Sequence, residues 1–224
     1  MSTSDAALSL TPTEQVLVYA DQFAPKGSML NGKENLLLGE GNVAVNTLSE
    51  VLLSVAVLAL EKAGAARVQQ VTRKSMFGLI KRQVAEITPT GTPASFPDGS
   101  LEALLAAKLG SAPIDMDDLV YEFFADDLKW PQQFIVDVAK AGLSERGILH
   151  AEKSTKLLMF TTVKATVAPE HKAALQAGAP TDARALVKAA EGRETLWTVM
   201  NKQAGSGLAR RTEASDSSSD SFSD

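Results

Sequence analysis

The sequence predicts a mainly α fold, one compact helical domain carrying one or two β-hairpins with winged-helix-like corners. Three observations predict it. Two capping boxes, Thr11-Pro12-Thr13-Glu14 and Thr47-Leu48-Ser49-Glu50, each open an apolar stretch with helical spacing. The second stretch carries Leu48, Val51, Leu52, Val55 and Ala59 on one face, with Leu53, Val57 and Leu60 covering much of the rest, which is the pattern of a helix central to a core. Residues 67–72 with 79–87, and 148–151 with 156–162, then read as pairs of short strands joined by turns.

Taken in order, Pro12 fills the first helical position, where a missing N–H costs nothing, and opens a helix to about residue 20. The ten residues before it (1–10) are expected to be a flexible N-terminus. From 21 to 45 several glycines and no sustained period predict a long loop with one turn of order. Thr47 starts the apolar helix and Ala63-Gly64 ends it. The first hairpin turns around Lys74-Ser75-Met76-Phe77-Gly78, and Thr88 to Pro93 is turn chemistry throughout. A helix over 100–109 is stopped by Gly110, and another over 115–127 has Asp115 as its cap. Pro131 begins the next, with Phe134, Ile135, Val138, Ala139 and Leu143 on its apolar face. The second hairpin turns around Glu152-Lys153-Ser154. Helices over 169–177 and 181–202 complete a domain of residues 11–204, and the Ser/Asp-rich 205–224 is expected to be a disordered tail.

Composition narrows the function classes. At 45% hydrophobic and 22% charged residues the chain is expected to fold around a sizeable core. It has no cysteine, which excludes disulfides, a thiol nucleophile and a Cys-based metal site. The two histidines, His150 and His171, are far apart and not in an H-x-x-x-H arrangement, so no zinc site is expected. Gly32-Lys33 lacks the preceding glycine of a phosphate loop, and Gly39-Glu40-Gly41 lacks the third glycine of a dinucleotide fingerprint. The pairs Asp117-Asp118 and Asp126-Asp127 could serve acid/base or metal chemistry, but capping and surface roles explain them first. No catalytic set, metal or cofactor is therefore expected, and the protein reads as a non-enzyme.

The first residues show no secretory signal, and the longest apolar run, 51–60, is half of what a membrane span needs, so a cytoplasmic protein with at most peripheral membrane contact is expected. A net charge of −5 argues against nucleic acid as a partner. The basic residues nevertheless cluster. Arg67, Arg73, Lys74, Lys81 and Arg82 lie on or beside the first hairpin, with Phe77 and other apolar residues between them. Apolar tips flanked by cations engage anionic lipid surfaces. The same tip could instead pack in a homo-oligomer through the 67–87 hairpin, and both readings stand.

Three segments in shared order between about Leu10 and Val167 resemble the Golgi phosphoprotein 3 family. The first is the apolar helix into Lys62-Ala63-Gly64 and Arg67-Val68. The second runs from Arg73-Lys74-Ser75 through Ile80-Lys81-Arg82-Gln83-Val84 to Pro89-Thr90-Gly91 and Leu101-Glu102-Ala103-Leu104. The third joins Leu143-Ser144-Glu145-Arg146-Gly147-Ile148-Leu149, Glu152-Lys153 and Leu157-Leu158-Met159-Phe160-Thr161-Thr162. The resemblance implies a helical domain whose β-hairpin aids self-association. It also implies binding of phosphatidylinositol 4-phosphate on the cytosolic Golgi face, as an adaptor for vesicle trafficking and for the cytosolic tails of Golgi enzymes. The headgroup neighbourhood it implies includes Trp130, Gln133 and Lys140. Gln133 and Val136 stand where the family has arginines, so the alternative is a soluble oligomeric interaction module of the same fold without phosphoinositide binding.

Overall fold

The computed structural model of the chain describes residues 8–75, 80–124, 128–156 and 160–219. It is mainly α with small sheets, as predicted. Helix α1 (Pro12–Val18) starts at the first capping box: Thr11 Oγ1 accepts from the Glu14 N–H, and the Glu14 carboxylate accepts from the Thr11 N–H at 2.7 Å. In the stretch expected to be a loop, a 3-10 turn (Ala20–Gln22) precedes strands β1 (Glu34–Asn35) and β2 (Asn42–Val43), which pair antiparallel. Two residues per strand leave no alternation for a sequence reading to detect.

Helix α2 (Val45–Lys62) begins ahead of its expected start, because Ala44, Val45 and Leu48 enter the core and burial outweighs the local cap. Inside its first turns Ser49 Oγ donates to the Asn46 carbonyl at 2.8 Å. Every side chain from Leu48 to Leu60 is buried except that of Glu50, which makes α2 the central element. It closes in a Schellman turn. Gly64, at φ +78°, donates to the Glu61 carbonyl, and Ala65 donates to that of Leu60. The hairpin of β3 (Ala66–Ser75) and β4 (Ile80–Pro89) follows directly, in the register Ala66↔Pro89 to Ser75↔Ile80.

Helix α3 (Leu101–Lys108) is capped by Ser100 Oγ, which accepts from the Ala103 N–H. Strand β5 (Ile114–Asp115) adds to β4, and α4 (Met116–Phe123) follows. Asp115 precedes α4 but its side chain does not cap it; it is spent on arginines instead. Helix α5 (Pro131–Glu145) ends in a second Schellman turn at Gly147 and leads into β6 (Leu149–Lys156) and β7 (Phe160–Val167). The turn expected at Glu152-Lys153-Ser154 is instead strand. Those residues include no Gly, Pro, Asn or Asp to force a turn there.

Helix α6 (Pro169–Ala177) matches its expected span. The single helix expected over 181–202 is two, α7 (Thr181–Glu191) and α8 (Leu196–Ser219), broken after Gly192 with Glu194 at φ +51°. Helix α8 also continues far into the segment 205–224 that was expected to be disordered. The reason is packing: Gly207, Leu208 and Arg211 are buried and extend the inward stripe of Leu196, Met200 and Ala204.

Side-chain contacts give the directions. Arg193, just before α8, pairs with Glu61 at 2.8 Å, Ser54 Oγ meets Asn201 at 3.1 Å, and Gly205 faces Glu50. So α8 runs antiparallel to α2. Along the hairpin, Thr195 meets Gln70 at 3.1 Å, the Ala85 N–H donates to Gln203 at 2.5 Å, and Arg82 and Arg210 share Asp117. The hairpin therefore leaves the C-terminal end of α2 and runs back toward its N-terminal end.

Glu50 shows what this packing costs. A Cβ built on Gly205 would stand 2.6 Å from Glu50 Oε1, and burial pushes the Glu50 carboxyl up to about 6. A carboxyl with a raised folded pKa binds its proton more tightly in the native state, so stability falls as pH climbs from about 4.5 to about 6. Glu50→Gln is expected to raise the unfolding free energy at pH 8 by ~1 kcal/mol, after discounting for partial exposure, with no gain below pH ~4. Urea midpoints at the two pH values check this; an equal effect at both would contradict it.

Candidate anionic-surface site

Strand alternation divides the basic cluster of the first hairpin into two faces. Arg73 stands opposite Arg82, and Lys74 opposite Lys81, so the arginines share one face and the lysines the other. The arginine face meets β5 and α4. Arg73 Nη2 lies 2.9 Å from Asp115 Oδ1 and 2.5 Å from Glu86 Oε2, and Arg82 Nη1 lies 3.2 Å from Asp117 Oδ2. Arg210, from the segment expected to be a tail, joins at 2.7 Å from Asp118 Oδ1 and 3.7 Å from Asp117 Oδ2. Its guanidinium also stacks 4.7 Å from the Tyr121 ring centroid. Three guanidinium groups thus meet four carboxylates, and hydrogen bonding to Asp115 raises the Arg73 pKa further.

This arrangement accounts for the acidic cluster. Asp115, Asp117 and Asp118 each offer an oxygen within 4.8 Å of the others, a spacing a cation could bridge. Arginines already supply that positive charge, and Gln203 Nε2 donates to Asp117 Oδ1 at 2.9 Å. The cluster is an ionic clasp holding hairpin, α4 and α8 together. Asp126-Asp127 lie outside the described residues.

The lysine face is different. Lys74 and Lys81 are exposed, beside exposed Thr72 and Gln83, and neither makes an ion pair among the described residues. Arg67, at the hairpin base, is also exposed and makes no ion pair among the described residues. Phe77 lies outside the described residues. All five cations grouped by sequence are exposed, and these three make no ion pair among the described residues.

At the headgroup neighbourhood, Lys140 is 3% exposed on α5. Its Nζ lies 2.8 Å from Glu34 Oε2 and 3.5 Å from Asp137 Oδ1. Gln133 Nε2 donates to the same two carboxylates, at 3.2 and 2.9 Å. Val136 is fully buried. One cation between two carboxylates leaves no net positive charge for a phosphate, whose strong sites use charge-assisted donors. Trp130 stands apart from this cluster, 66% exposed at the start of α5.

Two features escaped the sequence reading. Glu34, in the expected loop, is the partner that occupies Lys140. Met29 and Leu30 protrude from the same loop, and the signal was present as two apolar residues between Lys26 and Lys33 in an otherwise small and polar stretch. No helix among the described residues is long and apolar enough to cross a membrane. In comparisons with the models of known protein families, with curated proteins and with solved structures, nothing matches this chain.

Proposed function

We propose that the chain is a non-enzymatic peripheral adaptor resembling the Golgi phosphoprotein 3 family, and that its β3–β4 hairpin makes the electrostatic contact with an anionic membrane. The observation that carries this reading is the Lys74–Lys81 pair. Like charges directly opposite on neighbouring strands are destabilising, and the arginines one residue away are neutralised from within while these lysines are not. A surface rich in lipid phosphates offsets that repulsion. Under the resemblance, the surface is the cytosolic Golgi membrane, the lipid is phosphatidylinositol 4-phosphate, and the cargo is the cytosolic tails of membrane proteins. The Lys140–Glu34–Asp137 cluster favours charge-driven docking over a dedicated headgroup pocket, and it is the specific support for the second reading, a soluble oligomeric interaction module of the same fold.

Sedimentation with phosphatidylcholine vesicles, with and without phosphatidylserine or phosphatidylinositol 4-phosphate, tests the choice. The full chain is expected to bind both anionic vesicles at low salt and to leave the neutral one. Each lysine near an anionic surface is worth ~1 kcal/mol, so Lys74→Gln with Lys81→Gln should weaken binding about 30-fold. Failure of the unaltered chain to bind either anionic vesicle at low salt would replace this reading with the soluble module.

A further inference from the structure

We infer that one end of the molecule is a lipid-inserting face whose leading element is the tight turn at 28–32, with Trp130 beside it at the depth of the lipid headgroups. This inference rests on the membrane-surface reading above and adds to it the part that enters the bilayer.

The turn is closed by a β-bridge between Ser28 and Gly32 and carries Met29 and Leu30 at its tip, 94% and 93% exposed. A single exposed aliphatic residue needs no explanation. Two consecutive ones held almost wholly in water, on a turn whose position is fixed, do. The fixing is specific. The Asn46 N–H, in the first turn of α2, donates to the Asn31 carbonyl at 3.3 Å, and Lys26 bridges Val43. Gly27 packs so closely that a Cβ there would stand 2.7 Å from the Val43 carbonyl. The protein thus holds an apolar tip outward at the N-terminal end of α2.

Within the turn segment itself the charge has one sign, although Asp21 and Glu40 line a groove together with Lys26. Residues 22–33 include Lys26 and Lys33, both exposed, and no carboxylate. The nearest acidic side chain beyond Lys33, Glu34, is directed inward to Lys140 and Gln133. That contact joins the loop to Gln133 and Lys140 of α5, and Gln133 lies three residues after exposed Trp130. The hairpin bearing Lys74 and Lys81 runs toward this same end of α2. Apolar tip, indole and lysines therefore gather at one pole.

The shape selects a bilayer over a protein. A stable protein interface covers ~800 Å² on each partner, whereas a wedge of two aliphatic side chains is much smaller. A bilayer accepts such a wedge, takes tryptophan at its interface, and draws lysines to its anionic surface.

The experiment uses the full chain, phosphatidylserine vesicles with and without brominated acyl chains, and Met29→Ser with Leu30→Ser. Both sites are surface positions, so the fold is retained. The unaltered chain is expected to show tryptophan emission quenched by the brominated lipid, with the quenching lost in Trp130→Phe. The double variant is expected to bind about 100-fold more weakly, the low end for withdrawing two aliphatic side chains from an apolar phase at ~1.5 kcal/mol each. If the unaltered chain binds and the lysine variant weakens, but the Met29/Leu30 variant binds normally and Trp130 is unquenched, the insertion is overturned and the electrostatic reading survives. If the unaltered chain does not bind, both fall together.

Discussion

Glu102→Ala is expected to lower the unfolding free energy by about 3 kcal/mol, because one carboxylate on α3 holds the start of α1. Glu102 is fully buried, accepting from the Thr13 N–H at 2.9 Å, the Thr13 hydroxyl at 2.7 Å and the Thr11 hydroxyl at 3.2 Å. Alanine would leave a buried N–H in the first turn of α1 with no acceptor and open a cavity beside it. Glu102→Gln keeps a carbonyl oxygen for that N–H and should lose much less. Burial is the largest influence on Glu102 and raises its pKa against its hydrogen bonds, so the native state holds the carboxyl proton more tightly than the unfolded chain does. The deficit of Glu102→Gln relative to Glu102 should therefore narrow as pH rises above the ordinary carboxylate range. Urea titrations of both variants decide the matter; an alanine variant within ~0.5 kcal/mol of the unaltered chain would sink it.

Gly207→Ala has a comparable expected effect from the opposite cause. Helix α8 crosses α4 so closely that a Cβ at position 207 would stand 2.6 Å from the Asp117 carbonyl oxygen and 2.8 Å from Val120 Cβ. Both are rigid neighbours. Admitting one methyl group requires the helices to separate, which stretches the Gln203–Asp117 bond and the 3.2 Å bond from Arg211 to the Phe124 carbonyl. A loss of about 2–3 kcal/mol is expected, the range for overpacking a tight contact. Intrinsic propensity alone predicts a gain of ~1 kcal/mol for the same substitution in a helix interior. The sign of the change in thermal midpoint therefore separates packing from propensity, and a gain would show that the contact yields.

Local signals were legible wherever the chain pays its own way within a few residues. The capping box at Thr11, the cap at Ser100 and the prolines at 12, 131 and 169 each mark a helix start. Starts and stops decided by distant partners were not. Helix α2 begins at Val45 because the core receives Ala44 and Val45, and α8 passes residue 205 because α4 receives Gly207 and Arg211. The site shows the same division. Alternation alone could have placed Arg73 and Lys74 on opposite faces, but which face would be neutralised depended on aspartates more than thirty residues away. Nothing near Lys140 in sequence pointed to Glu34, a partner 106 residues distant.

The placement of α8 has a consequence for synthesis. The bond from the Ala85 N–H to Gln203 spans 118 residues, and the same helix covers α4. At translation rates of 5–20 residues per second, the hairpin waits roughly 6–24 s and α4 roughly 4–17 s for the segment that completes them. The domain cannot close from its N-terminus forward, and its final cooperative step belongs to the helix that leaves the ribosome last among these elements.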